Sequence, residues 1–404
     1  MSVHKPLEGI KVVELASFVA APAAGRMLAE MGADVIRVES TAGDPWRFYG
    51  VNCGLPVADE ENPLFDIYNL GKKDIQLNTK TPEGKEILFH LLDEADVFIT
   101  NNRLKSLVRS GLDYESLKDR FPKLIYGLVT GYGQTGPDVD APGYDGVPFS
   151  QDPECWQIWQ NPAAILQAPR AVSEMELQEL RFLAVSVQRF LTGCVQEKAI
   201  FVEISLFGNA VWLCGTMSAF EQYGIIILKR DRKWGLFILF IKCKDGEWLH
   251  LAVTQHDRYW KPLAEALNVP ELAEDERFAN AALISKNRAQ LIPLLEEAFS
   301  HFNYNEIAAR LKERDIVFDR MRHYRELATD PQAVANGFVK EYIYESGHPF
   351  MMSMPPVHMR SVGETGPGRG PKPGEHTDEI LKQLGCLEDE IVHLKEAGAV
   401  KQHS

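Results

Sequence analysis

Between residues 16 and 25 the chain reads ASFVAAPAAG, and side chains this small leave room for a ligand's phosphates to approach the backbone. The stretch follows a β-branched run and opens a helical pattern, and a helix N-terminus favours anions. It is not GxGxxG, so a dinucleotide site is poorly supported. Taken alone, it points first to close helix–strand packing. Asn101, Asn102 and Arg103, with Arg109 downstream, follow another apolar run, at the strand end where open α/β sheets gather ligands. GYGQTGP at 131–137 is too glycine-dense for a plain connector, and a functional loop is expected around Gly131, Gly133 and Gly136. NLGKK at 69–73 could present ammonium groups to phosphates, although exposed lysines ordinarily do no more than solvate. The 11 histidines show no HExxH spacing and the six cysteines no CxxC, so no metal is expected and reduced thiols are the simpler state.

The elements that would position these residues alternate. Strand patterns at 9–15, 35–38, 75–77, 97–99 and 124–129 are separated by helical ones at 22–31, 82–94 and 114–120. Pro22 opens the first helix and Gly32 stops it. Thr81-Pro82 is a cap followed by proline at the first helical position, with Ile87, Leu88, Leu91 and Leu92 at helical spacing behind it. Such alternation predicts an α/β fold with a mostly parallel sheet. From about 245 the character changes to a strand at 248–253 and charged helices at 271–277, 294–299 and 304–314, read as a smaller second domain. GPGRGPKPG at 366–374 is a linker, and a last helix, 376–384, ends at Gly385.

At 404 residues two structural units are expected, and 45% hydrophobic with 25% charged residues is a globular mix. The net charge of −14 argues against nucleic acid and anionic membrane as partners. The opening MSVHKP lacks a signal-peptide core, and no run approaches the roughly 18 apolar residues of a membrane span, so a cytoplasmic location is expected.

Several strings fall in an order that resembles the class III CoA-transferases, which include carnitine, formyl, bile-acid and 2-hydroxyacyl CoA-transferases. They are PLEGIKV at 6–12, MGADVIRVE at 31–39, GDP at 43–45, NLGKKDIQL at 69–77, KTPEG at 80–84, ADV at 95–97, GYG at 131–133 with GP at 136–137, and GEHT at 374–377. The likeness covers 6–146 and 202–398, and its first 140 residues look closest to enzymes acting on (R)-2-hydroxy acids such as 2-hydroxyisocaproate or phenyllactate. It implies a Rossmann-like parallel-sheet large domain from residues 1–225 and 336–404, a smaller α+β domain at 226–335, and an interlocked homodimer. CoA and acyl-CoA would be substrates, exchanged with a carboxylic acid, with no cofactor permanently bound. By position Phe18, Val19, Ala20, Leu77, Lys80, Asn101, Asn102 and Arg109 match the family's CoA-contacting segments. Ser40 stands where some relatives carry a basic residue.

In this family an aspartate in a Gly-Phe-Gly-Asp-like turn attacks the thioester, and the enzyme then carries the acyl group and the CoA in turn. That aspartate is missing here. Between 147 and 200 the likeness collapses, with a single glycine, Gly193, and no Gly-Asp turn, yet the pattern resumes in step at FVEISL, 201–206. A one-base slip near Val147, compensated near Phe201, accounts for a lost motif at unchanged length. Synonymous codons for 171–180 (AVSEMELQEL), read one base out of frame, can encode GFGDGTTGTT, with the aspartate codon spanning Glu174 and Met175. In the printed frame Glu174 is the nearest carboxylate, within what looks like an amphipathic helix. Two other functions share the fold: a 2-methylacyl-CoA racemase-like enzyme, moving an α-proton with a His/Asp pair, and a catalytically inactive acyl-CoA-binding homologue.

Overall fold

Three early helices begin with the same two-residue device. In α2 (Pro45–Asn52), α3 (Pro63–Asn69) and α4 (Pro82–Asp93) a polar cap, Asp44, Asn62 or Thr81, accepts a first-turn N–H and is followed by proline. Proline there surrenders an N–H that would lack a partner anyway. These helices alternate with strands β1 (Lys11–Leu15), β2 (Asp34–Glu39), β3 (Lys73–Leu77), β4 (Val97–Thr100), β5 (Ile125–Thr130) and β6 (Ile200–Ser205). The computed structural model describes residues 5–139, 141, 198–213, 219, 222–223, 238–253, 255–355, 357, 363 and 365–403. They divide into two units, one from the chain up to 213 and from 327 onward, the other from 214 to 326.

The first unit is a seven-stranded sheet in the order β12-β3-β2-β1-β4-β5-β6, with β12 at Val400–Lys401. Its six earlier strands pair in parallel, and β12 closes the edge antiparallel to β3. Side chains alternate between two cores. Val12, Val97, Ile99 and Ile125 join Ala21, Ala24 and Leu28 of α1 (Ala20–Glu30) on one face, while Val13, Phe98 and Tyr126 join Leu88 and Leu91 of α4 on the other. Both faces are covered, so the strands read as nearly continuous apolar runs. Each fully buried aliphatic or phenyl side chain contributes about 1.5–3 kcal/mol. At Gly25 of α1 an added Cβ would run into the Glu14 carboxylate. The small-residue stretch is therefore first a packing feature.

The tail returns to this sheet. Gly374 N–H donates to Asp74 Oδ1 at 2.6 Å, and Thr377 Oγ1 donates to the Lys401 carbonyl while accepting from Gln76 N–H. Hairpin β10 (Val339–Ile343) and β11 (Pro349–Ser353) belongs to the same unit. The second unit carries an antiparallel sheet of β7 (Ile238–Lys242), β8 (Trp248–Ala252) and β9 (Phe318–Arg320) with helices at His256–Ala266, Ala281–Ser300 and Tyr304–Glu313. Its core is apolar, with Leu249, Leu251, Leu263, Phe278, Phe299 and Leu311 at its centre.

Candidate active site

β1 lies inside the sheet, and from it the chain first builds β2 and β3 on one side, then β4, β5 and β6 on the other. The order reverses between β1 and β4, and a crevice at the carboxyl ends of those strands is where such sheets take ligands. Residues 16–19 leave β1 at that edge and residues 101–103 leave β4, the places of the two lips of such a crevice. Asn101 ties them together: its Oδ1 accepts from Ser17 N–H at 3.1 Å and its Nδ2 donates to the Ser17 carbonyl at 2.7 Å. Next to that tie Phe18 has φ 62°, a left-handed conformation costing a bulky residue about 1–2 kcal/mol. Its N–H donates to Asp44 Oδ1 at 3.1 Å. Helix α1 starts immediately after, with no side-chain cap, so its first-turn N–H groups lack partners within the helix.

Beneath this lip the sheet buries charge. Glu14, Arg37 and Asp74 face one another in register on β1, β2 and β3. Arg37 is wholly buried; it bonds Glu14 at 3.0 Å and Asn69 Oδ1 at 3.1 Å, pairs with Asp44, and lies 3.6 Å from Asp74. Lys72 donates to Glu14 at 2.8 Å and to the Pro22 carbonyl at 2.6 Å. Arg47 bonds Glu39 through two nitrogens and lies 3.7 Å over the Phe65 ring. Burial alone would raise the Glu39 carboxyl, but the guanidiniums of Arg37 and Arg47 hold it down at about 2. Burial and the neighbouring Glu39 push Asp74 well above the carboxylate range. Glu14, Glu39 and Asp44 thus face Arg37, Arg47 and Lys72 across these contacts, and buried charge needs such pairing. Burial lowers Lys72 to about 8, against the pull of Glu14.

Several expected site residues meet on this carboxyl edge. Phe18, Val19 and Ala20 form the β1 lip, and Asn101 and Asn102 the β4 lip, where Asn102 N–H donates to Thr100 Oγ1 at 3.2 Å. Leu77 ends β3, but its side chain packs in the core, leaving only its backbone at the edge. Lys80 is exposed just beyond it. Arg109 is exposed on the last turn of α5 (Leu104–Ser110), five residues and about 8 Å along the axis from the helix start. Gly133 and Gly136 have φ 95° and 98°, and a Cβ at either would meet open space, so backbone conformation alone selects glycine. Thr130 Oγ1 accepts from Gly133 N–H at 3.0 Å, and the Gly131 carbonyl accepts from Phe207 N–H. Glu174 lies outside the described residues.

Lys72 corrects the reading of NLGKK. It is neither solvated nor offered to a phosphate, because it is buried against Glu14 and Asn69. Lys73 pairs with Glu379 at 3.1 Å. Arg37 and Asp44 were not singled out from the sequence as functional. The signal was there: a charged residue inside each of three buried strand patterns requires partners, and strands that pair can supply them. Among the described residues no group of three His, Cys, Asp or Glu converges as metal ligands would, and no helix is long and apolar enough to cross a membrane.

The model of CoA-transferase family III matches residues 7–151 and 183–377, leaving out the stretch around Glu174. The chain is 34% identical over 397 residues to an (R)-2-hydroxy-4-methylpentanoate CoA-transferase from Clostridioides difficile, covering 98% of this chain and 99% of that one. It is also 34% identical over 395 residues to a cinnamoyl-CoA:phenyllactate CoA-transferase from Clostridium sporogenes, covering 96% and 95%. A crystal structure of a CaiB/BaiF family protein from Brucella suis superposes with a TM-score of 0.70 at 29% identity, covering 95% of this chain and all of that one. A Mycobacterium tuberculosis protein at 23% identity shares the fold, with a TM-score of 0.74 over 93% and 99%. On its sequence and its fold alike, the chain belongs to CoA-transferase family III.

Proposed function

We propose that the protein exchanges CoA between an acyl-CoA and a carboxylic acid, with a 2-hydroxy acid as the class suggested by its named relatives. The observation that carries the reading is the strand-order reversal between β1 and β4, at whose carboxyl edge Asn101 ties the segment bearing Phe18, Val19 and Ala20 to the one bearing Asn101 and Asn102. An enzyme carboxylate attacks the thioester carbonyl, the C–S bond breaks, and CoA leaves as thiolate. The thiolate then attacks the enzyme's carbonyl of the mixed anhydride, releasing the donor acid as a carboxylate and leaving an enzyme–CoA thioester. The acceptor acid runs the same two steps in reverse. Covalent relay divides one difficult exchange into easier ones. Keeping the thiolate beside the anhydride makes recapture effectively unimolecular, an advantage of up to about 7–11 kcal/mol. Backbone N–H groups of the 131–136 loop would steady the oxyanion.

The attacking carboxylate is the aspartate of a Gly-Phe-Gly-Asp turn encoded one base out of the printed frame, across Glu174 and Met175. The family match leaves out 152–182, the residues that include Glu174 and Met175. A polypeptide with the printed residues is expected to bind CoA and to exchange it little. The active form is an interlocked homodimer in the cytoplasm.

Sequencing the gene across codons 147–201 tests the frame, and transfer of label from free acid into acyl-CoA by protein from the verified gene tests the reaction. The expected results are an aspartate codon and movement of label. A clean gene encoding the printed residues, with full-rate exchange, overturns the relay. An aspartate-bearing protein that racemises the α-carbon but moves no label is the racemase-like enzyme instead.

A further inference from the structure

The chain holds one of the lips of its crevice in a conformation that phenylalanine resists. Phe18 has φ 62°, and nothing about its neighbours Ser17 and Val19 demands this locally. The conformation persists because two side chains from segments that follow different strands grip the backbone beside it. Asn101, following β4, takes both the N–H and the carbonyl of Ser17. Asp44, following β2, takes the N–H of Phe18 and, through the same oxygen, the N–H of Trp46 at 2.9 Å. Asp44 is fixed in turn: its other oxygen pairs with buried Arg37, and its own N–H donates to Glu39 at 2.7 Å. Strain held in place by surrounding structure clusters where a protein must keep a group ready for a ligand.

We propose that Asn101 and Asp44 are positioning residues, a two-point clamp that keeps Ser17–Phe18 turned so that the uncapped first turn of α1 faces the CoA crevice. Asn101 thus acts on CoA through the Ser17 backbone, with one donor and its acceptor oxygen already engaged there. The clamp consumes the N–H groups of Ser17 and Phe18 and leaves to the ligand those that follow in the first turn of α1. This inference rests on the reading that the crevice takes CoA.

The test is CoA binding by titration calorimetry, with free CoA as the probe, alongside thermal unfolding. Asn101→Ala is expected to weaken binding about tenfold or more with little change in melting temperature. Phe18→Gly added to it supplies the positive φ without strain and is expected to restore affinity to within about threefold of the parent. Should Asn101→Ala fail to fold, Asn101→Ser, whose side chain is too short to reach both backbone groups of Ser17, carries the same expectation. Binding unchanged in a folded Asn101 variant, or a loss that Phe18→Gly does not relieve, overturns the clamp. If the parent protein itself binds no CoA, the reading of the crevice falls instead, so the two failures are distinguishable.

Discussion

Two loops on the same edge of the sheet reach a positive φ by opposite means. After β5, Gly133 and Gly136 adopt 95° and 98° in open space, in a loop tied by Gly133 N–H to Thr130, Phe207 N–H to the Gly131 carbonyl and Gln134 to Glu203. After β1, Phe18 adopts 62° only under the grip of Asn101 and Asp44, which is backed by the buried charges of Arg37, Glu14 and Glu39. The first loop is permissive, since glycine enters that region freely at an entropic cost in the unfolded chain. The second is imposed, and its geometry depends on residues three strands wide. A loop of the first kind can adjust to a substrate, whereas one of the second kind presents a fixed surface. On the proposed function, the fixed β1 segment would serve the constant ligand, CoA, and the glycine loop the varying acyl carbonyl.

Substitutions sharpen that contrast in descending order of effect. Arg37→Met should be the most damaging, because it leaves the Glu14, Glu39 and Asp44 carboxylates short of a buried cation. A loss of about 3–5 kcal/mol is expected in urea unfolding, together with weaker CoA binding. A loss below about 1 kcal/mol would mean that the network is not what holds the β1 lip. Asp66 follows, on the helix whose Phe65 and Asn69 cover Arg37. Burial lifts its carboxyl to about 6, against bonds from Tyr344 Oη and Gly370 N–H. A raised carboxyl stabilises the fold fully below its unfolded value near 4 and ceases to do so as pH passes through about 6. Asp66→Asn should therefore flatten the stability profile between those values by about 2–3 kcal/mol, and an unaltered profile would refute the assignment. Gly133→Ala is expected to cost about 1–2 kcal/mol from backbone strain alone, since its methyl meets nothing. A neutral result would show that the glycine loop relaxes. Lys11→Ala, at the far end of β1, removes an exposed pair with Glu94 and should cost less than about 0.5 kcal/mol. A larger loss there would show that the amino end of the sheet is also electrostatically held.

The alternating architecture was legible because each strand is short, β-branched and closed by a cap or glycine. Thr81 caps α4 through Gly84 N–H at 3.1 Å as its sequence predicts, and Gly32 and Gly385 adopt φ 101° and 90° where their helices stop. Helix α1 starts two residues earlier than Pro22 suggested, because Pro22 occupies a first-turn position and not the first. Helices α2 and α3 were not read at all. Their cap-and-proline starts at Asp44-Pro45 and Asn62-Pro63 were visible, but aromatic stretches such as WRFYG lack a clear apolar stripe. Lys72 was misread because its partner Glu14 lies 58 residues away, and only pairing across the sheet brings them together. The lips of the crevice could be named from the sequence, whereas their clamp could not, since Ser17, Asp44 and Asn101 meet only after three strands are aligned.

The proposed exchange requires an enzyme carboxylate that carries CoA covalently. Intact-mass spectrometry of protein from the verified gene, incubated with an acyl-CoA and quenched, tests it directly. The prediction is a population heavier by one CoA less a water, converted by hydroxylamine with release of CoA to the aspartyl hydroxamate just above the parent mass, and absent when the turn aspartate is replaced by alanine. Rapid exchange with no such population, surviving that replacement, would contradict it.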